Sequence, residues 1–239
     1  MEQRRRCIYF NTNDEDCRNI YRYSPQTKKF EKLNLETDVT SAFALSENNP
    51  SIAAYIGQSN HNAGVAYLYD MKKKTSRLLA DPMKPILDEI ELGKTEPWNF
   101  TASDGTTIQG MMCLPPNFDP NKKYPLIVYY YGGTTPTERG ISNPYCAQLF
   151  ASRDYVVYVI NPSGTIGYGQ EFSARHVNAW GKRTADDIIE GTKQSAKNIH
   201  LSMIKNSCLG ASYGGFMTQY LQTQTDIFAA AVRMPASAM

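Results

Sequence analysis

Near residue 90 the hydrophobic pattern changes period, and that change limits the chain to two kinds of structure in series. Before it, every apolar run is short and bounded by turn residues, as strands are. The runs are Cys7–Asn11, Asn19–Ser24, Phe30–Leu35, Ser41–Leu45, Ile52–Gly57, Val65–Asp70 and Ser76–Leu79. Turn clusters such as Asn11-Thr12-Asn13-Asp14 and Glu47-Asn48-Asn49-Pro50 join them. After it, strand-like runs alternate with helical ones. Residues 80–97 carry Pro82, Pro85, Gly93 and Pro97 and read as a linker, so the expected division is 1–90 and 91–239.

Before the linker, a tyrosine-centred pattern occurs twice. Asn19-Ile-Tyr-Arg-Tyr23, followed by Lys28-Lys29 and Leu33, resembles Val65-Ala-Tyr-Leu-Tyr69, followed by Lys73-Lys74 and Leu79. Tyr21 to Tyr67 and Tyr23 to Tyr69 are both offsets of 46 residues. A repeat of about 40–50 residues holding four short strands is the signature of a β-propeller blade; a plain antiparallel meander is the alternative. Seven strands at four per blade make just under two blades, and a closed ring needs about four or more. The propeller reading therefore expects further blades upstream of Met1.

The region after the linker opens on Trp98–Ala102 and Thr107–Leu114 around Asp104-Gly105, a strong hairpin signal. Pro125–Tyr131 is a continuous apolar run, which suits a strand covered on both faces. A helix is expected around Pro144–Ser152, then strand Tyr155–Ile160. The next helix, Thr184–Ile199, opens on the capping-box pattern Thr184-Ala-Asp-Asp187 and carries an apolar stripe of Ile188, Ile189, Thr192, Ala196 and Ile199. Strand Asn206–Leu209, helix Tyr213–Thr223 and strand Phe228–Val232 complete it. This alternation predicts a doubly wound α/β sheet.

Gly210-Ala-Ser212-Tyr213-Gly214-Gly215 joins the strand ending at Leu209 to the helical run from Phe216. A G-x-S-x-G sequence between strand and helix is a nucleophile elbow. The turn is so tight that side chains two residues either side of the serine would strike the strand or helix, a demand Gly210 and Gly214 meet. Ser212 is then exposed at the sheet's carboxyl edge, and the Tyr213 N–H points to a developing oxyanion. The loop closing the Pro125 strand, Tyr129-Tyr-Tyr131-Gly-Gly133, can supply a second oxyanion donor through the Tyr131 hydroxyl or a glycine N–H, Tyr131 being otherwise a packing residue.

Other chemistries are excluded. The net charge of +2 points to no nucleic acid, and no apolar run approaches the ~18 residues of a membrane-spanning helix. Cys7, Cys17, Cys113, Cys146 and Cys208 are odd in number and contain no C-x-x-C, so no disulfide framework is expected. His61, His176 and His200 fall at no zinc-ligand spacing, and no metal or other cofactor is expected. Ser163-Gly-Thr-Ile-Gly-Tyr-Gly169 lacks G-K-[ST] and has no helix directly after it in dinucleotide spacing, so it reads as a structural loop. Lys182-Arg183 beside Trp180 reads as a solvated loop, Arg4-Arg5-Arg6 as a solvated end, and His176 and His200 as loop and helix-end histidines. The 16 tyrosines suit half-exposed strands.

Taken together these motifs resemble the prolyl oligopeptidase (S9) family of serine peptidases. The landmarks are Asp104-Gly105, Leu114-Pro-Pro-Asn-Phe-Asp-Pro120, Tyr124-Pro-Leu-Ile-Val128, Tyr131-Gly-Gly133, Asn161-x-x-Gly164-x-x-Gly167-Tyr-Gly169, Trp180-Gly181, Asp186-Asp187 and Gly210-x-Ser212-Tyr-Gly-Gly-Phe216. The resemblance implies a β-propeller followed by an α/β-hydrolase domain, and a peptide substrate. It implies Ser212 as nucleophile, the Tyr213 N–H and Tyr131 hydroxyl as oxyanion donors, and the Tyr213 ring lining the pocket for the residue before the scissile bond. Two departures stand out: Ser163 replaces the arginine common in relatives, and Arg233–Met239 does not fit the family pattern.

In this fold the triad runs Ser, then Asp or Glu, then His. The 27 residues from 213 to 239 contain Asp226 but no histidine, and each further βαβ unit needs about 30 residues. The chain by itself is thus expected to be an inactive fragment of a serine peptidase. The alternatives are an esterase of the same hydrolase class and a non-catalytic binding module. Peptide preference, compartment and oligomeric state are not readable from the sequence.

Overall fold

The computed structural model describes residues 7–142, 145–198 and 206–234. The expected helix-end residues Ile199 and His200, the helix start at Pro144, Arg4–Arg6 and the tail from residue 235 lie outside them. The chain divides into two compact units, Met1–Glu91 with Glu138–Cys146, and Leu92–Thr137 with Ala147–Met239.

The first unit is a seven-stranded sheet of β1 (Ile8–Asp14), β2 (Cys17–Ser24), β3 (Lys29–Lys32), β4 (Val39–Leu45), β5 (Ile52–Gln58), β6 (Val65–Asp70) and β7 (Thr75–Ala80). Its order is β1-β2-β4-β5-β6-β7, with β3 also paired to β2. All pairings are antiparallel except β2 with β4, which share one parallel pair, Arg18↔Val39. The sheet is therefore two antiparallel groups with a single bridge between them. The two sequence repeats fold alike: β2–β3 and β6–β7 are hairpins whose turns place Lys28 (φ 55°) and Lys74 (φ 56°) in the left-handed region. Ile20, Leu33, Ala53, Tyr55 and Tyr69 form the core. The buried Tyr55 hydroxyl accepts the Glu36 N–H (3.0 Å) and bonds Ser76 Oγ (2.8 Å), which offsets the cost of burying it.

Residues 138–146, which follow the Tyr131 loop in sequence, cluster with this unit. Arg18 donates to both Glu138 oxygens (2.9 and 2.8 Å), and Arg139 donates to both Asp16 oxygens (3.0 and 2.7 Å). Two fork-to-fork pairs of opposite polarity fix one register of the segment against the β1–β2 turn, because neither pair survives a shift of one residue.

The stretch read as a linker is structured: it contains α1 (Lys84–Leu87) and β8 (Thr95–Pro97). β8 is the outermost strand of the second unit's sheet on its side, where Pro97, having no N–H, costs little. That sheet adds β9 (Phe100–Thr101), β10 (Thr107–Cys113), β11 (Leu126–Tyr129), β12 (Val156–Asn161), β13 (Asn206–Ala211) and β14 (Ala230–Met234). Its order is β14-β13-β11-β12-β10-β8, with β9 paired to β10. β11, β12, β13 and β14 pair in parallel and β10 is antiparallel to β12. The β9–β10 hairpin turns at Asp104-Gly105, where Gly105 has φ 84° and Asp104 Oδ1 accepts the Thr106 N–H (3.0 Å).

Helices α2 (Ala147–Ala151), α3 (Gln170–Ala174), α4 (Lys182–Asn198) and α5 (Tyr213–Gln224) connect these strands. Every residue of β11 and β12 is buried. The core gathers Tyr130, Tyr158 and Ile160 with Ala185 and Ile188 of α4 and Met217 and Leu221 of α5. Tyrosine is more deeply buried than its composition implied: Tyr124, Tyr130 and Tyr158 are core residues.

Three local expectations are corrected. α4 begins at Lys182, so Thr184 lies buried inside the first turn and does not cap it; the Ala185 N–H instead bonds the Gly181 carbonyl (2.9 Å). Lys182 and Arg183 are therefore helical. Lys182 pairs with Asp186, while Arg183 reaches both Asp187 (2.6 Å) and Asp104 (3.0 Å). Finally, a helix does follow the glycine-rich loop, since α3 starts at Gln170 directly after Gly169 (φ 95°). It is only five residues long, and the loop's Ser163 N–H already donates to the Asp187 carboxylate (2.8 Å).

Among the described residues β14 is the outermost strand on its side, and all five of its residues are exposed. Parallel edges of this kind recruit another strand. Val232→Lys is expected to lower self-association of the chain, measured as a fall in weight-average mass by light scattering at matched concentration; an unchanged mass would show that this edge is not the contact.

Candidate active site

Parallel pairing of β13 between β11 and β14 carries the chain to the sheet's carboxyl edge, where it must reverse into α5 within one residue. That residue is Ser212, held at φ 55°, ψ −117°. A non-glycine residue there is strained and persists only where its surroundings fix it. They do so closely. A Cβ on Gly210 would lie 2.5 Å from the Gly214 carbonyl oxygen, one on Gly214 2.8 Å from the Tyr130 oxygen, and one on Gly215 2.5 Å from the Met234 oxygen. The Ser212 N–H donates to Met234 O (3.1 Å), and its carbonyl accepts from Gly215 (2.9 Å) and Phe216 (3.2 Å). The Ser212 side chain makes no capping bond and the residue is exposed. Among the described residues no capping partner holds this hydroxyl, which stands at the positive end of a 12-residue helix. As the first residue of α5, Tyr213 has no preceding helical carbonyl for its N–H.

Alternation along the end of β11 sends adjacent tyrosines in different directions. Tyr130 is buried and bonds Thr218 Oγ1 on α5 (2.9 Å), tying the two elements together. Tyr131 is half-buried, and its ring lies 6.2 Å from that of Tyr213. Gly133 makes this approach possible, since a Cβ there would sit 2.8 Å from the Tyr131 ring and 3.2 Å from the Tyr213 ring. The structure therefore brings Ser212, Tyr213, Tyr131 and the three elbow glycines together. Asp226 is exposed in the turn between α5 and β14. Burial raises the thiol pKa of Cys208 in β13 to about 11, an inert thiol in a strand core.

Residues 142–236, from before α2 through β14, match the family model described as Prolyl oligopeptidase family. Over this segment the chain is similar to that family. Two curated relatives are the probable dipeptidyl-peptidase 5 of Aspergillus terreus, 39% identical over 119 residues, and the uncharacterized peptidase YuxL of Bacillus subtilis, 27% identical over 201 residues. These alignments take in 49% and 84% of this chain but only 16% and 30% of the relatives. The chain thus spans less than a third of either relative's length. Among solved structures, the acylaminoacyl peptidase of Pyrococcus horikoshii shares the fold with a TM-score of 0.83 at 23% identity, over 95% of this chain and 35% of that one. Dipeptidyl peptidase 4 of Porphyromonas gingivalis gives 0.80 at 20% identity, over 95% and 33%.

The matched segment includes the Ser212 turn and one wall that sequence patterns do not reveal. The rings of His176, Trp180 and Phe216 stand 5.1, 5.3 and 5.2 Å from that of Tyr213, each edge-on. Burial pushes the Tyr213 phenol up. His176 precedes the elbow serine by 36 positions in the sequence, and no local period connects the two. The available signal is Trp180-Gly181, a motif to which the sequence assigns no partner.

Proposed function

We propose that this chain carries the nucleophile half of a serine peptidase active site, in the opening strands of an α/β-hydrolase sheet that follows blades of a β-propeller. The four-stranded antiparallel meander β4–β7 supports the blade reading, and the strand order with its antiparallel β10 supports the hydrolase reading. The observation that carries the reading is the strained, exposed Ser212 between three glycines that admit no Cβ.

In this mechanism Ser212 Oγ attacks the carbonyl carbon of an oligopeptide bond while a base accepts its proton. The carbonyl oxygen becomes an oxyanion held by the Tyr213 N–H and the Tyr131 hydroxyl. Collapse expels the amine, which takes the proton, and leaves an acyl ester on Ser212. Water then attacks the ester, returning the serine and releasing the acid. No base for Ser212 is identified among the described residues. No histidine follows Ser212 in the sequence, and His176 packs beside the Tyr213 ring with no partner at Nδ1 among the described residues. The 239-residue chain alone is accordingly proposed to turn over no peptide.

Acylation can be separated from turnover by supplying imidazole as an external base. With a p-nitrophenyl ester, and after subtraction of the release that imidazole causes without protein, the chain is expected to release at most one equivalent of nitrophenol, faster with imidazole. Ser212→Ala should abolish this release, and Tyr131→Phe should slow it by about 10²-fold, as loss of one oxyanion donor does. Equal release from wild type and Ser212→Ala would overturn the assignment.

A further inference from the structure

We propose that His176 is a proton-sensitive positioning residue: its neutral ring wedges the Tyr213 and Trp180 side chains in place at the elbow, and its protonation releases them. The wedge rests on geometry independent of any catalytic role. The effect on acyl transfer would rest on the reading of Tyr213 given above.

His176 is 8% exposed. Its ring lies 5.1 Å from Tyr213 and 5.9 Å from Trp180. On a third side is Gly164 (φ 102°), where a Cβ would come within 2.7 Å of His176 Cβ. The loop thus carries glycine where it backs against the histidine. Nδ1 is buried and has no hydrogen-bond partner among the described residues. A neutral ring protonated at Nε2 leaves only a lone pair there, which costs little among aromatic faces. Protonation turns Nδ1 into a charged donor with no acceptor, which is costly in an apolar site.

Among the described residues no surrounding group accepts a hydrogen bond from Nδ1. On α5, Tyr213 is a phenol that burial keeps neutral. Gly164 and its neighbour Ser163 bring no charge. On α3 and just after it stand Glu171 and Arg175, the latter paired with Asp104 (3.0 Å). Beyond Trp180, Lys182 is paired with Asp186 (2.7 Å), and Arg183 with Asp187 and Asp104. Desolvation accordingly holds His176 below the ordinary histidine value of 6.5. The unfolded chain therefore binds the proton first. The stability associated with the neutral ring is present above about pH 6.5 and is lost as pH falls through the folded-state value.

The test is a pH titration of the whole 239-residue chain by histidine NMR and tryptophan emission. His176→Leu assigns the histidine signal, and Trp180→Phe separates Trp180 from Trp98, the other of the chain's two tryptophans. His176 is expected to titrate below pH 6.5, with Trp180 emission changing at the same midpoint. His176→Phe keeps a ring in place and should abolish that change, so the comparison survives if the leucine variant folds poorly. A His176 midpoint at or above 6.5, or a Trp180 signal indifferent to it, would overturn the proposal. The outcome is separable from the nucleophile reading. An unreactive Ser212 with coupled His176 and Trp180 titrations overturns only that reading, whereas a reactive Ser212 with no Trp180 response overturns only the wedge.

Discussion

Adding one methyl group at Gly210 is expected to destabilise the second unit by about 3 kcal/mol or more, at the upper end for overpacking. The new Cβ would meet only backbone: Gly214 O at 2.5 Å, its C at 2.7 Å and its Cα at 2.9 Å. No rotamer can relieve that contact, so β13 and α5 must separate, and with them the strained Ser212. Trp98 and Trp180 both lie in the second unit, so tryptophan emission in urea reports its unfolding without interference from the first. Gly105→Asn, in the same unit, is the contrast. It has φ 84° but open space around it, and asparagine tolerates the left-handed region, so a loss under about 1 kcal/mol is expected. Equal losses at the two sites would mean that the elbow is not sterically closed.

Asp187→Ala is expected to cost about 1–3 kcal/mol, because it leaves the buried Ser163 N–H without its acceptor and takes one of two carboxylate partners from Arg183. Asp187 is wholly buried and accepts from the Ser163 N–H (2.8 Å) and Arg183 Nη2 (2.6 Å). Without it, the base of the glycine-rich loop loses its acceptor and Arg183 keeps only Asp104. Burial holds the Asp187 carboxyl above its ordinary value, against the opposing pull of Ser163 and Arg183. Its ionised form is therefore carried at some cost near neutral pH, and Asp187→Asn should lose less than Asp187→Ala. Asp104 behaves oppositely. Hydrogen bonds with Thr106, joined by the charges of Arg183 and Arg175, lower it to about 2. Its contribution is present above the ordinary aspartate value and is lost as pH falls toward 2. Asp104→Asn should accordingly flatten the stability profile below pH 4. A double variant, Asp187→Leu with Arg183→Met, should cost less than the sum of the two single changes; urea unfolding of the four proteins decides it.

What the sequence reveals depends on whether the governing force is local. All seven strands of the first unit are readable, because alternation and turn chemistry act within a few residues; even the 46-residue repeat reappears as paired left-handed turns at Lys28 and Lys74. The elbow is equally legible, since its glycines answer to contacts within the turn. The start of α4 lies two residues before the one its cap pattern predicts, because Thr184 has the composition of a cap but a buried, mid-turn position. The helices α1 and α3 are hidden in proline- and glycine-rich stretches. The docking of 138–146 is not legible at all, because Arg18 with Glu138 and Asp16 with Arg139 are pairs about 120 residues apart that share no periodicity. His176 is hidden for the same reason: its partners Tyr213 and Gly164 meet it only in the folded unit.

Whether Ser212 is the reactive hydroxyl is tested most directly by mass-spectrometric mapping of the intact chain after exposure to a fluorophosphonate, with imidazole as external base. A single adduct on the peptide containing Ser212, absent from Ser212→Ala, is the expected result. Adducts spread over other serines with Ser212 unmodified would contradict it.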